Sequence, residues 1–244
     1  MTNYFLIPVF NEELNLPTLC SNLKSTLVGE SNFYVFVDDG SSDNSVQIIR
    51  RELADKEFII LGDGTNNGPG FSFNIGFEWI IANSKSQDDI VITLEADNTS
   101  DIKLLPKMVV ISKLGFDLVL ASVYAQGGGF EKTSFFRKIL SMIANFFFRS
   151  IFDVKVLTLS SFYRVYSSDI LRTIKQSNGV IINEKGFICM LEILLKSVAC
   201  NASIIEVPMK LHSSKRQGKS KMKILKTSMS YLKFLLKHKF VGNK

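Results

Sequence analysis

Cysteine and histidine are scarce in this 244-residue chain, which has three of the first and two of the second. Cys20, Cys189 and Cys200 stand too far apart for a disulfide framework or a zinc-ligand pair, so buried structural thiols in a reducing cytoplasm are expected. His212 and His238 both lie beyond Lys210, which leaves the rest of the chain without an imidazole for general-base work. Long apolar runs are also missing: no stretch reaches the roughly 18 residues of a membrane-spanning helix, so the chain is not expected to cross a bilayer. The start enters a strand-like run, "NYFLIPVF", without a charged-then-apolar leader, and no signal peptide is expected. Acidic residues are absent after Lys210. From there to Lys244 stand eleven Lys or Arg, so this tail carries +11 and the remainder of the chain +6 − 11 = −5. That split points to an anionic partner, whether phosphorylated substrate, membrane surface or nucleic acid. Only Tyr231, Phe234 and Phe240 interleave the tail's lysines, which argues against nucleic acid.

What is present is ample apolar material, 46% of the chain, enough for the core of one large domain or two small ones. Strand-like runs "YFLIPVF", "FYVFVDD", "FIILGD" and "DIVITLEAD" alternate with segments of helical period. Leu16, Leu19, Leu23 and Leu27 mark the first helix, and Val46, Ile49 and Leu53 mark the second. Such alternation predicts an α/β fold with a mainly parallel central sheet and helices on both faces. Ligands of such sheets sit beyond the carboxyl ends of the strands.

After residue 120 the pattern changes. A glycine run leads into a helix expected at about 134–152, on which Lys138, Ser141, Asn145 and Arg149 form one narrow polar stripe. A stripe so narrow suits a helix buried on most sides or one lying in a membrane interface. A second amphipathic helix is expected over Met222 to Phe240, with Met222, Leu225, Met229, Leu232 and Leu236 on one face and Lys226, Lys233 and Lys237 on another. The expected organisation is a domain over 1–213, divided at 101, followed by a basic loop and terminal helix over 214–244.

Two strand ends are acidic. "VFVDDGSSDNS" delivers Asp38 and Asp39 to a tight turn and a serine-capped helix, where a carboxylate can accept from a base edge or a ribose hydroxyl. In "LEADNTSD", Glu95 and Asp97 are two apart, so on an extended chain both would face one side and could share a hard cation; a solvated acidic turn is the plainer option. "LGDGTNNGPG" is not a dinucleotide-binding turn, because Asn67 stands where the third glycine belongs.

Taken in order, "IPVFNEELNLPTL", "VDDGSSDNS", "NNGPGFSFNIGF" and "LEADNTSD" resemble the nucleotide-binding half of a family 2 glycosyltransferase of the GT-A nucleotide-diphospho-sugar transferase fold. "ASVYAQGGGFEKTSFFRKILSMIANFF", "LSSFYRVYSSDIL", "GFICMLEIL" and "EVPMKLHSSKRQGKSKM" resemble its dolichol-phosphate mannose synthase and polyprenyl-phosphate branch. The resemblance implies that Pro8, Phe10, Glu12 and Asp39 hold the nucleoside of a UDP- or GDP-sugar, with Asn66, Gly68, Asn74 and Gly76 at the next strand end. It implies that Glu95 and Asp97 bind Mg2+ or Mn2+, that Arg137 meets the acceptor phosphate, and that Lys215, Arg216, Ser220 and Lys221 form a loop over the phosphates. Glu192 matches an acidic residue on a helix beneath the site.

Departures from the pattern are Glu95 for Asp, Thr99 for Gln, Val123 for Arg, and the loss of an Asp and a glycine pair before Arg164. The implied activity is inverting sugar transfer to a polyprenyl phosphate by a peripheral enzyme on the cytoplasmic face of a membrane. A chain without its own span leaves room for a membrane-anchoring partner subunit. Two alternatives stand beside it: transfer to a saccharide hydroxyl with Glu192 as base, and nucleotide-sugar binding without catalysis.

Overall fold

The computed structural model of the chain describes residues 1–132, 135–218, 221 and 224–239, without side chains at 135–137, 140, 224–226, 228 and 237–239. Its first third repeats one unit: β1 (Asn3–Val9), α1 (Leu16–Ser25), β2 (Asn32–Asp38), α2 (Ser45–Glu52), β3 (Phe58–Leu61), α3 (Pro69–Asn83) and β4 (Ile90–Thr93). Strand follows helix because apolar residues switch between periods of two and about 3.6. In β1, Tyr4 and Leu6 enter the core on one face of the sheet, while Phe5, Ile7 and Val9 enter the core on the other. A strand apolar on both sides can only be a central one, and β1 pairs in parallel with β2 and β4.

The chain continues through α4 (Leu105–Lys113), β5 (Leu118–Ser122), β6 (Gly129–Glu131), α5 (Phe135–Phe152), β7 (Arg164–Ser167), α6 (Ser168–Asn178), α7 (Cys189–Ala199), β8 (Ile204–Pro208), β9 (Lys210–His212) and α8 (Ile224–Lys239). Seven strands form one sheet in the order β3-β2-β1-β4-β7-β5-β8, in which only β7 runs against its neighbours β4 and β5. Helices α1, α2 and α4 cover one face, and α3, α6 and α7 the other. The expected mainly parallel sheet with helices on both faces is therefore observed. Gly76 sets the α3 spacing: a Cβ there would lie 2.0 Å from Leu6 Cδ1, so only glycine lets the helix sit this close to β1.

Four local expectations are adjusted, the first being that helix α2 ends at Glu52 and Leu53 stands at its C-cap. Helix α1 stops at Ser25, and Leu27 lies beyond it in a left-handed conformation, φ 53°. Strand β4 ends at Thr93, inside the strand-like run "DIVITLEAD", so Glu95 and Asp97 follow a finished strand. The terminal helix is described over Ile224–Lys239, and Met222 and Phe240 lie outside the described residues.

Helix α5 occupies Phe135–Phe152, close to the expected span, but its polar stripe faces the protein. Asn145 is buried, donating to Ser141 O at 2.9 Å and accepting from the Leu159 amide at 3.1 Å, while Ser141 Oγ accepts from the Tyr124 hydroxyl at 2.7 Å. Ile139, Met142, Ile143, Phe146, Phe147 and Ile151 point to solvent, Phe146 at 73% exposure. Helix α8 packs on α5 through Tyr231 and Phe234, which meet Phe148 and Phe152, and its Met229, Leu232 and Leu236 are also exposed. The pair is anchored by one apolar seam and presents a second outward. Among the described residues no helix is long and apolar enough to cross a membrane.

Candidate active site

Parallel strands β1 to β4 finish at one edge of the sheet, and the residues just past them converge. Past β1 come Phe10, Asn11 and Glu12. Pro8 is half-buried in β1 at a position beyond its pairing with β4, which ends at Leu6–Thr93, so the missing N–H costs no bond on that side.

Past β2, the buried Asp39 accepts from the Asn67 amide at 2.7 Å and from the Gly68 amide at 3.0 Å. These are orphan donors at the start of α3, and Asp39 satisfies them in place of a side chain from α3 itself. Burial raises its pKa, and the two amide bonds oppose the rise. The Ser72 side chain adds a further hydrogen bond that also opposes the rise. Gly68 has φ 92°, and a Cβ there would meet Lys185 O at 2.6 Å, so its identity is fixed by backbone shape.

Two expected ligand groups are turned elsewhere. The Asn66 side chain stands in an exposed loop, and its neighbour Asn67 makes the contact to Asp39 through its backbone. Asn74 Oδ1 accepts from the Ile182 amide at 2.9 Å, which ties α3 to the segment before α7. Glu192 is buried and holds that same segment, accepting from the Asn183 amide at 2.9 Å and the Glu184 amide at 2.8 Å while pairing with Lys196 at 2.8 Å. Asn74 and Glu192 thus shape the wall behind Gly68 and Gly70, whose amide donates to Lys185 O at 2.8 Å.

Past β4 lies the carboxylate cluster. The expectation that strand alternation sets Glu95 and Asp97 side by side is corrected here: residues 96–98 form a turn, with Asn98 in a left-handed conformation, φ 61°. Asp97 Oδ1 accepts from the Thr99 amide at 3.0 Å and the Thr99 hydroxyl at 2.7 Å, so the turn is built by the aspartate itself. The two carboxylates are nevertheless neighbours. Burial and the Asp97 charge push the half-buried Glu95 carboxyl up to about 8, while Arg216 acts to lower it and Glu12 to raise it. Glu12 is raised by its own burial, against the Asn15 hydrogen bond and the charge of Lys221.

The basic loop closes over this cluster. Arg216 donates from Nε at 2.8 Å, and also from Nη2, to Asp97 Oδ2. Lys221 Nζ donates to Asn11 O at 2.9 Å and lies 6.0 Å from the Phe10 ring centroid. Lys215 is exposed, and its charge helps hold Glu131 below the usual carboxylate range, behind the larger effect of the His212 contact. Ser220 and the Arg137 side chain lie outside the described residues.

Asn15 is a residue that sequence reading missed. It stands where a helix cap is expected but makes no cap bond. Its Nδ2 donates to Glu12 Oε2 at 2.6 Å and Gln217 O at 2.9 Å, its Oδ1 accepts from the Gln217 amide at 2.8 Å, and its carbonyl accepts from Asn98 Nδ2 at 2.8 Å. In the sequence Asn15 reads as a helix cap, and its burial shows only in the fold.

Among the described residues no group of three or more His, Cys, Asp or Glu is arranged to hold a metal ion. Glu95 and Asp97 are too few for a cage of their own. They fit a hard cation that completes its shell with water and substrate phosphate oxygens. A guanidinium already rests on Asp97, so a positive charge at that point is what the cluster stabilises.

Comparison with known proteins gives the family and the fold. The family model described as Glycosyl transferase family 2 matches residues 4–175. The polyprenol monophosphomannose synthase of Mycolicibacterium smegmatis is 26% identical over 219 residues, covering 89% of this chain and 79% of that protein. The dolichol-phosphate mannosyltransferase of Pyrococcus furiosus is 28% identical over 235 residues, 94% of this chain and 61% of that one. Among solved structures, glucosyl-3-phosphoglycerate synthase from Mycobacterium tuberculosis in complex with Mn2+, UDP and glucosyl-3-phosphoglycerate superposes with a TM-score of 0.63 at 13% identity, covering 90% of this chain and 73% of that one. The fold is GT-A, and the chain belongs to glycosyl transferase family 2, whose members are sugar-transferring enzymes.

Proposed function

We propose that the protein transfers a sugar from a UDP- or GDP-sugar to a polyprenyl phosphate, with inversion, while resting on the cytoplasmic face of a membrane. One observation carries the lipid acceptor. β6 and β9 form a two-stranded ribbon in which Glu131 pairs with His212. Just beyond Glu131 begins α5, whose apolar side faces outward, and just beyond His212 comes Arg216 on the carboxylate cluster. A lipid-seeking surface and the phosphate-binding loop therefore leave the same end of one ribbon. The names of the M. smegmatis and P. furiosus relatives, which specify polyprenol and dolichol-phosphate mannosyl transfer, support the same acceptor.

The chemistry follows from the groups present. A phosphate monoester has its second pKa near about 6, so it is already an anionic nucleophile at neutral pH and needs no protein base. This suits a site where the Glu192 carboxylate is engaged by backbone amides and Lys196, which favours a positioning role for it over that of a base. The acceptor oxygen attacks the anomeric carbon as the bond to the diphosphate breaks on the opposite side. Lys215, Arg216 and Lys221 supply donors for the oxyanions on both sides of that displacement. Phe10, Glu12 and Asp39 border the nucleoside, and Glu95 with Asp97 would hold Mg2+ or Mn2+, which when bound would neutralise charge on the leaving diphosphate.

A thermal-shift screen of UDP- and GDP-sugars, with and without Mn2+, tests the donor half. The expected result is a Mn2+-dependent rise in melting temperature with sugars of one base, lost in Asp97→Ala. No shift with any sugar nucleotide would overturn the proposal.

A further inference from the structure

Asp97 has no free acceptor position. Thr99 takes Oδ1 with two donors, and Arg216 takes Oδ2 with two more. A divalent cation that used Oδ2 would therefore have to displace the guanidinium. The contact is not the chance swing of a long side chain, because the loop that carries it is pinned at the next residue. Gln217 offers its N–H and its C=O to the amide of Asn15, a reciprocal pair at 2.8 and 2.9 Å. Asn15 is itself 2% exposed and fixed on two further sides, by Glu12 Oε2 and by Asn98, which belongs to the Asp97 turn. One buried amide thus registers the basic loop against the turn that presents the carboxylate.

We propose that Arg216 is a resident occupant of the cation position on Asp97, latched there by Asn15, so that a divalent cation and the latched loop are mutually exclusive. This deepens the function proposed above and rests on Glu95 and Asp97 being the cation site. In the resting protein the guanidinium supplies the positive charge that rests on the Asp97 carboxylate. A cation arriving with the donor takes over that role, and Arg216 is released with its planar donors free for phosphate oxygens. Linkage makes the coupling reciprocal: whatever loosens the latch tightens cation binding by the same factor. Asn15 acts here as a positioning residue, since it touches neither cation nor substrate.

The test is a titration of this 244-residue chain with Mn2+ alone, free ion being read by electron paramagnetic resonance, on wild type, Arg216→Ala, Asn15→Ala and Asp97→Ala. Arg216→Ala should bind Mn2+ about tenfold more tightly than wild type, within the ordinary range of coupling between two groups. Asn15→Ala, which keeps every charge, should shift affinity in the same direction by a smaller factor, and a melting curve shows that it is folded. Asp97→Ala should lose the site. If Arg216→Ala binds Mn2+ no better than wild type while Asp97→Ala loses it, the cation site stands and the latch falls. If Asp97→Ala binds as wild type does, the cation site itself is refuted, and the latch with it.

Discussion

Helices α1 and α5 are both amphipathic, yet they are mounted in opposite senses. Helix α1 buries Leu16, Leu19, Cys20 and Leu23 against the sheet and turns its polar side to water. Helix α5 buries Asn145 beside Phe148 and turns Met142, Ile143, Phe146 and Phe147 outward. Periodicity identifies the faces of a helix but not what each of them meets. An exposed apolar row with Ser141 and Asn145 hydrogen-bonded on the inner side is the arrangement expected where the medium beyond the protein is not water.

The contrast can be broken most forcefully from the α1 side. Leu19→Ala removes a buried side chain and should cost about 2–5 kcal/mol in urea unfolding, while the folded protein binds vesicles as before. On α5 the outcome should invert. Phe146→Ser should leave unfolding free energy within about 0.5 kcal/mol but weaken binding to anionic vesicles by roughly 10- to 100-fold, because burial of a Phe side chain is worth about 1.5–3 kcal/mol. Equal stability losses for the two variants would mean that α5 is packed against protein. The inward polar row is probed by Asn145→Leu, which leaves the Leu159 amide without its acceptor and should destabilise by about 1–3 kcal/mol despite the gain in hydrophobicity. A rise in stability would contradict the observed orientation.

A pH-dependent effect is expected at the carboxylate end, where polarity is also held inside. Burial and Asp97 raise the Glu95 carboxyl from 4.5 to about 8, so the folded protein keeps a proton that the unfolded chain releases above its ordinary pKa. The folded state thus binds more protons between those values, and its contribution to stability, full below about pH 4.5, is lost as pH rises through about 8. Melting temperature without metal should fall across that window, and Glu95→Gln should flatten the fall. An unchanged slope in the variant would remove Glu95 as its source.

Much of this was legible in the chain. The parallel βα units, the acidic residues Asp39, Glu95 and Asp97 past the strand ends, and the span of α5 follow from local period and turn chemistry, which act over a few residues, while Phe10 and Glu12 were legible only through the family resemblance. Three features were not legible, each for a physical reason. β7 inserts between β4 and β5 against their direction, and such pairing leaves no trace in local period. The side of α5 that faces inward is decided by Tyr124, Leu159 and α8, all outside the helix. The Asn15–Gln217 pair joins residues 202 positions apart, and a lone Asn at a helix start reads more readily as a cap.

The central claim is that the carboxylate site works at a lipid surface. Its most direct test compares initial rates of sugar transfer to a long-chain polyprenyl phosphate in vesicles and to a short, water-soluble isoprenyl phosphate, for wild type and Phe146→Ser. The predicted result is a loss in the variant at least about tenfold larger with the vesicle acceptor than with the soluble one, following the burial of one Phe side chain. Equal rates of variant and wild type on vesicles, or transfer by wild type to saccharide hydroxyls alone, would contradict it.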